Sequence, residues 1–500
     1  MAKMNPMFKV QARRLPSPAI VAQDAVRRFP RWALLLLCAV YVAAGFMGRE
    51  PWRSADLAGF GSLFDVIGIS DWAWLLARAL AAAMVSLTML CTWNATYYLA
   101  RRDAAQPVPF AFGGEAKPVA YARALADGAL LALIACLGLA QLAHETTAAM
   151  LQMSLFALVF FGFACHQYHP IKSATALVLG ALGLFFTLRG LVWSSSDWLS
   201  IRAWRESVHM LVWFAWPAWA LAGLALFKWR RHWLNARPSL HIALPALFVL
   251  LFLVFLPTID QKDRWFLSAL PSLSALAAFA LPTLRRGMKS LIDLFTLIFF
   301  CGCAFVIWVV WIAMQTGVPP QPAANVAKLL PAFIPSFSAP VFLLAAAATL
   351  AWCWLVYWRV GKHQPAIWMS MVLPAGGAAL CWMLLMSLWL PLLDHARSYQ
   401  PFMVLVQKHI TPQADSKNSC ISAHGLGDAQ QAALRYYLKR PLVQANRGVA
   451  CEWLLADSES VASLGEYVTM PNWQLITTIR RPSDKSESWL IYRHKIDAQN

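Results

Sequence analysis

Apolar runs of membrane length, separated by short polar turns, occupy most of this chain. A helix crossing the hydrocarbon core of a bilayer needs ~20 mainly apolar residues. The runs that meet this are 32–48, 73–99, 119–143, 147–166, 171–189, 208–228, 239–257, 265–283, 291–314, 338–357 and 367–391. The pattern predicts about eleven spans. From about Leu392 it changes: no spanning run follows, and 12 Lys+Arg face 10 Asp+Glu. There Ser419–Ala423, Ala450–Ala456, Trp473–Thr478 and Ser488–Arg493 read as strands. Asp428–Leu438 reads as a helix with an Asp cap. The expected fold is an all-α polytopic membrane domain over 32–391, a basic stretch 1–31 before it, and a small α/β domain over 392–500.

The basic residues orient this bundle. Arg13/Arg14, Arg27/Arg28, Arg101/Arg102, Arg230/Arg231, Arg285/Arg286 and Arg359/Lys362 all fall on one side if the chain starts inside and alternates. That is the positive-inside pattern, and an odd number of spans then puts the tail outside. We therefore expect a bacterial-type inner membrane protein with a cytoplasmic N-terminus and a periplasmic tail. The net charge of +18 is spread along the chain, whereas a nucleic-acid surface would gather it on one face. The N-terminal stretch shows no clear cleavage site and reads as a signal anchor. Well within the runs only Arg78, Asp127 and Asp293 are charged, with Arg123 near an end and i,i+4 to Asp127, where the two can neutralise each other. Such a sparse set argues against a proton-coupled transporter.

Polar chemistry gathers in the outer turns. Of 14 acids before the tail, nine are there: Glu50, Asp56, Asp65, Asp71, Glu145, Asp197, Glu206, Asp260 and Asp263. The first outer loop carries Arg49-Glu-Pro-Trp-Arg53-Ser-Ala-Asp56, and its stretch near 54–67 has the polar/apolar pattern of a helix lying on the interface. His144-Glu145 forms a second turn, and Asp260-Gln-Lys262-Asp263-Arg264 a third. A carboxylate at this depth can take a proton from an acceptor hydroxyl or amine. A Lys/Arg pair can hold a lipid-linked phosphate. His144 with Glu145 is a two-residue candidate for a divalent metal ion. Of ten Cys, only Cys420 and Cys451 lie in the tail, where a disulfide between them is chemically open.

With an Asp on an interfacial helix of the first outer loop, the chain resembles the GT-C membrane glycosyltransferases. It is most similar to their bacterial branch, related to protein O-mannosyltransferase and the lipid A aminoarabinose transferase. The His144-Glu145 turn, the charged loop leading into 267–278 and Leu281–Arg286, the passage Trp308–Pro319 and the segment Asp394–Tyr399 carry the rest of the likeness. The resemblance implies transfer of a sugar from a polyprenyl-phosphate donor to a lipid, glycan or protein acceptor at the outer face. It implies Asp56 as the general base and Lys262 and Arg264 as the phosphate grip. His144, Glu145 and Asp260 would contact acceptor or metal, and Arg53, Asp263 and Tyr399 would contact substrate. Asp56 is followed by Leu57 where the family usually carries a second acid. A non-catalytic member of the fold that binds polyprenyl lipids or envelope-assembly partners therefore stays open beside the enzyme.

Overall fold

The computed structural model describes residues 17–46, 71–188, 200–234, 239–259, 261–330, 333–361, 366–410, 420–438, 440–446 and 451–495. The expected interfacial helix near 54–67 lies outside them. The apolar runs form helices because a backbone in hydrocarbon has no water to bond and must satisfy itself. In chain order these are α1 Arg31–Phe46, α2 Asp71–Ala100, α3 Pro118–Ala135, α4 Leu137–Leu142, α5 Ala148–Cys165, α6 Pro170–Thr187, α7 Ile201–Phe214 and α8 Ala218–Lys228. Then follow α9 Leu240–Phe255, α10 Lys262–Leu267, α11 Leu270–Ala278, α12 Arg286–Thr316, α13 Pro320–Leu329, α14 Ala339–Gly361, α15 Met369–Leu385 and α16 Leu390–Arg397.

Among the described residues, seven helices are long and apolar enough to cross a membrane, or nine if each of two bent pairs is one span. Helix α1 and the stretch Leu270–Thr283 are apolar but shorter. The eleven runs thus become straight helices, bent pairs and short helices, and the breaks have local causes. Cys136 leaves the helical region between α3 and α4. Pro217, which has no N–H to continue a helix, separates α7 from α8, and the pair bends by 99°. Helix α8, with 11 residues, reaches only about 16 Å at 1.5 Å per residue. Helices α15 and α16 bend by 68° across the break at 386–389, and Pro391 stands in the first turn of α16.

Burial sorts the helices by position. The α3 window is 78% buried, whereas that of α14 is 11% buried. Leu179, Phe186, Leu247, Ile298, Phe305 and Leu343 are each more than half exposed. An apolar surface that wide fits a lipid solvent rather than water. The charged residues inside the runs are accommodated by specific partners. Asp293 on α12 pairs with Arg359 on α14 at 2.6 Å. Asp127 has a direct partner besides the arginine the sequence offered. It accepts the Trp93 indole N–H at 2.8 Å, and Arg123 stands within electrostatic reach rather than bonded to it.

The bundle has two distinct ends. At one, Gln23 N donates to Gly114 O, Ile367 N to Ala25 O and the Trp368 indole to Arg27 O. This basic end also holds Arg101, whose guanidinium lies over Tyr168. At the other, the Trp382 indole donates to Tyr41 O at 3.2 Å, and His144 packs on Phe46 and Trp382. The chain leaves α15 at this second end and enters the tail there.

In the tail, α17 (Gln400–His409), β1 (Ile421–His424), α18 (Asp428–Leu438), β2 (Leu442–Gln444), β3 (Trp453–Asp457), α19 (Val461–Tyr467), β4 (Trp473–Arg481) and β5 (Asp484–His494) form one mixed α/β unit. The five-stranded sheet runs β2-β1-β3-β5-β4, parallel around β1 and antiparallel around β5. Strand β3 is central and buried nearly throughout, which matches its unbroken apolar run Trp453–Ala456. Cys420 and Cys451, each just ahead of one of the paired strands β1 and β3, are joined in a disulfide with Cα atoms 5.0 Å apart. The bridge spans 31 residues of sequence. Closing a loop of that length stabilises a fold by about 3–4 kcal/mol in the chain-entropy model. Replacing both cysteines with Ala is expected to lower the tail's stability by that amount. Pulse proteolysis of the full-length protein across a urea series would read it, and an unchanged midpoint would refute it.

Candidate functional site

The site lies at the end opposite the basic loops. Glu145 sits in the turn after α4, where Thr147 caps α5 by accepting from Met150 N. Its carboxylate is nearly buried. It accepts from Gln141 Nε2 at 3.0 Å and from Arg264 Nη2 at 3.5 Å. Arg264 comes from α10, 119 residues away in sequence. Its own helix is fixed by the next residue: Trp265 is buried against Phe252 and Phe156 and donates its indole N–H to Phe252 O at 3.0 Å. That carbonyl is free to accept because α9 tightens at its end, where Leu256 N bonds to Leu253 O instead.

The network continues along the surface. Arg264 Nη1 donates to Gln261 Oε1 at 3.1 Å, and Asp263 folds back to accept from the Arg264 backbone N–H. Lys262 Nζ reaches Glu206 Oε2 at 3.2 Å, and Arg202 holds the other oxygen of Glu206 at 3.1 Å. Three segments therefore meet here through their charges: the 141–145 turn, the start of α7 and the start of α10. The 99° bend after α7 brings Glu206 beside Lys262. Nothing in a linear apolar pattern signals that bend except Pro217.

His144 behaves differently from its neighbour. It is fully buried, its Nδ1 lies against Ala140 O, and its ring packs against Tyr41, Phe46 and Trp382. A Cβ on Gly45 would collide with that ring, so α1 approaches it only because residue 45 is Gly. His144 thus faces the core while Glu145 faces the charged network. No group of three or more His, Cys, Asp or Glu converges among the described residues. The pair does not fit a divalent ion.

Tyr399 belongs to another cluster. It is buried at the start of the tail, where its hydroxyl donates to Glu487 Oε1 at 3.0 Å and Arg481 lies 4.3 Å above its ring. Arg481 also donates to Glu487 Oε2 at 2.8 Å and to the carbonyls of Arg397 and Ser398. This arrangement ties the domain entrance to the β4–β5 hairpin, so Tyr399 is engaged there rather than in the charged network. Arg53, Asp56 and Asp260 lie outside the described residues.

The described residues define a mostly helical, polytopic membrane protein with a charged network at one end of the bundle and a small mixed α/β domain continuing from that end. No protein-family model and no curated protein matches the chain. Among solved structures, the chain is similar to ArnT from Cupriavidus metallidurans bound to undecaprenyl phosphate, at 14% identity over 92% of this chain and 97% of that one, with a TM-score of 0.49. It is also similar to ArnT from the same organism in the apo state, at 13% identity over 96% and 95%, with a TM-score of 0.45.

Proposed function

We propose that this chain is a GT-C-type glycosyltransferase that moves a sugar from a polyprenyl-phosphate donor to an acceptor at the periplasmic face of the bacterial inner membrane. One observation carries the reading: Glu145, Lys262 and Arg264 meet at the end of the bundle away from the basic loops. The disulfide-bonded tail at that same end supports its placement in an oxidising compartment, and the basic pairs support a cytoplasmic opposite end.

In this reading Lys262 and Arg264 bind the donor phosphate, Lys as a point charge and Arg through its planar fork. Glu145 and Glu206 hold the two cations in place and release their hydrogen bonds as the phosphate arrives. Asp56 takes the proton from the acceptor hydroxyl or amine as that atom attacks the anomeric carbon. The bond between that carbon and the phosphate oxygen breaks, and polyprenyl phosphate leaves with the electron pair, its charge met by Lys262 and Arg264. The residue types fit polyprenyl-linked phosphate donors in general, and the acceptor can be a lipid, glycan or protein.

The test uses the full-length protein in vesicles with an undecaprenyl-phosphate-linked sugar and a lipid acceptor. Wild type is expected to release undecaprenyl phosphate, and Asp56→Asn to slow release by about 10²–10⁴-fold, the size of a general-base contribution, with donor binding kept. Equal turnover in the variant rejects Asp56 as the base. Because Leu57 stands where the family usually has a second acid, a second reading is a non-catalytic polyprenyl-lipid binder. Donor binding without turnover in the wild type would favour it.

A further inference from the structure

At the opposite, basic end, a cavity of about 460 Å³ opens between α1, α2 and α3. Its walls are apolar, with Leu34, Met89 and Leu130 among them, and exposed Leu35 and Leu90 stand at its lip. Its polar groups are few: Arg28 just ahead of α1, Arg31 at its start, Arg123 on α3, Asp127 on α3 and Ser86 on α2. Asp127 is already held by the Trp93 indole and by the backbone N–H of Phe29, with Arg31 and Arg123 in electrostatic reach. Three arginines against one acid leave a net charge of about +2 at the mouth of an apolar groove. The adjacent Trp32 is 69% exposed, the position of an interfacial aromatic anchor, which sets the arginines at headgroup depth.

We infer that this groove binds one anionic phospholipid of the surrounding bilayer, with its phosphate between Arg28, Arg31 and Arg123 and one acyl chain along the Leu34–Met89–Leu130 wall. Charge complementarity selects the occupant: an apolar trench open to hydrocarbon takes any chain, but only an anionic headgroup satisfies three arginines gathered at its end. A soluble anion would gain the arginines and leave the trench empty. The site is separate from the charged network around Glu145, so its test does not depend on sugar transfer.

The experiment measures retention of phosphatidylglycerol against phosphatidylcholine by the purified full-length protein, using native mass spectrometry from mixed micelles. Wild type is expected to retain phosphatidylglycerol selectively. At about fivefold per arginine near a membrane surface, the variant Arg28→Gln/Arg31→Gln/Arg123→Gln should weaken it on the order of a hundredfold. Ala39→Trp, which fills the trench from an exposed position and leaves every charge in place, should weaken it as well. Equal retention of both lipids overturns the inference, as does loss in the arginine variant with no effect of Ala39→Trp, which would reduce the site to surface charge. Preferential displacement of phosphatidylglycerol by undecaprenyl phosphate would assign the groove to the carrier and likewise overturn it.

Discussion

With Lys in place of Arg264, sugar transfer is expected to fall by about 10²–10³-fold, the scale of one lost transition-state donor, while the membrane domain stays folded. Lysine keeps a positive charge beside Glu145 and so does not strand a nearly buried carboxylate. It loses the planar fork that in Arg264 reaches Glu145 and Gln261 together and can turn two parallel N–H groups to a phosphate. Arg264→Ala mixes two effects, because removing one partner of a buried pair costs about 3–5 kcal/mol through the charge left behind. Arg264→Met combined with Glu145→Gln separates them. Removing both charges is often near neutral for stability, so this double variant should unfold close to wild type and still fail to transfer. Turnover and urea midpoints measured side by side decide the matter. Wild-type turnover in the double variant would remove the phosphate grip from the mechanism.

The second large effect lies in the tail. Arg481→Met is expected to destabilise the α/β domain by about 3–5 kcal/mol, a large share of the ~5–15 kcal/mol that holds a typical domain together. The Arg481 side chain is 1% exposed and serves Glu487, two backbone carbonyls and the face of Tyr399 at once. Without it, among the described residues Glu487 keeps the hydrogen bonds from Tyr399 and Gln430 to offset its negative charge. Protease sensitivity of the segment after α16 in the full-length protein reports the loss. Adding Glu487→Gln should restore part of it, since a neutral amide can still accept from Tyr399. Unaltered resistance in Arg481→Met would mean that the hairpin is held by its apolar contacts alone.

Most of the membrane architecture was legible because hydrocarbon imposes one rule on every span, and apolar length is its direct imprint. Strands around Ile421, Trp453, Trp473 and Trp489 were legible for a similar reason, as was the helix over Asp428–Leu438. The short edge strand β2 was missed: Leu442–Gln444 is only three residues and half-buried, too brief for alternation to register. The meeting of Glu145 with Arg264 was anticipated from residue type and side of the membrane. Glu206 was read only as one more outer-loop acid, because its place beside Lys262 depends on the angle between α7 and α8, and an angle leaves no periodicity. The surroundings of His144 and Tyr399, named as site residues through the family resemblance, were not legible in the sequence. Their burial depends on partners far along the chain, Trp382 for His144 and Arg481 and Glu487 for Tyr399, which composition does not encode.

The contacts that tie α1 to α15 bear on how the protein is made. The carbonyls of Arg27 and Tyr41 each wait for an indole 341 residues further along the chain. At ~5–20 residues per second of synthesis, that is a delay of tens of seconds. During it the first helix sits in the bilayer with its final neighbour still unmade. A nascent chain stalled before residue 366 would hold that helix by α2, α3 and His144 but leave the side meant for α15 facing lipid, an open flank that the insertion machinery or its quality control could recognise.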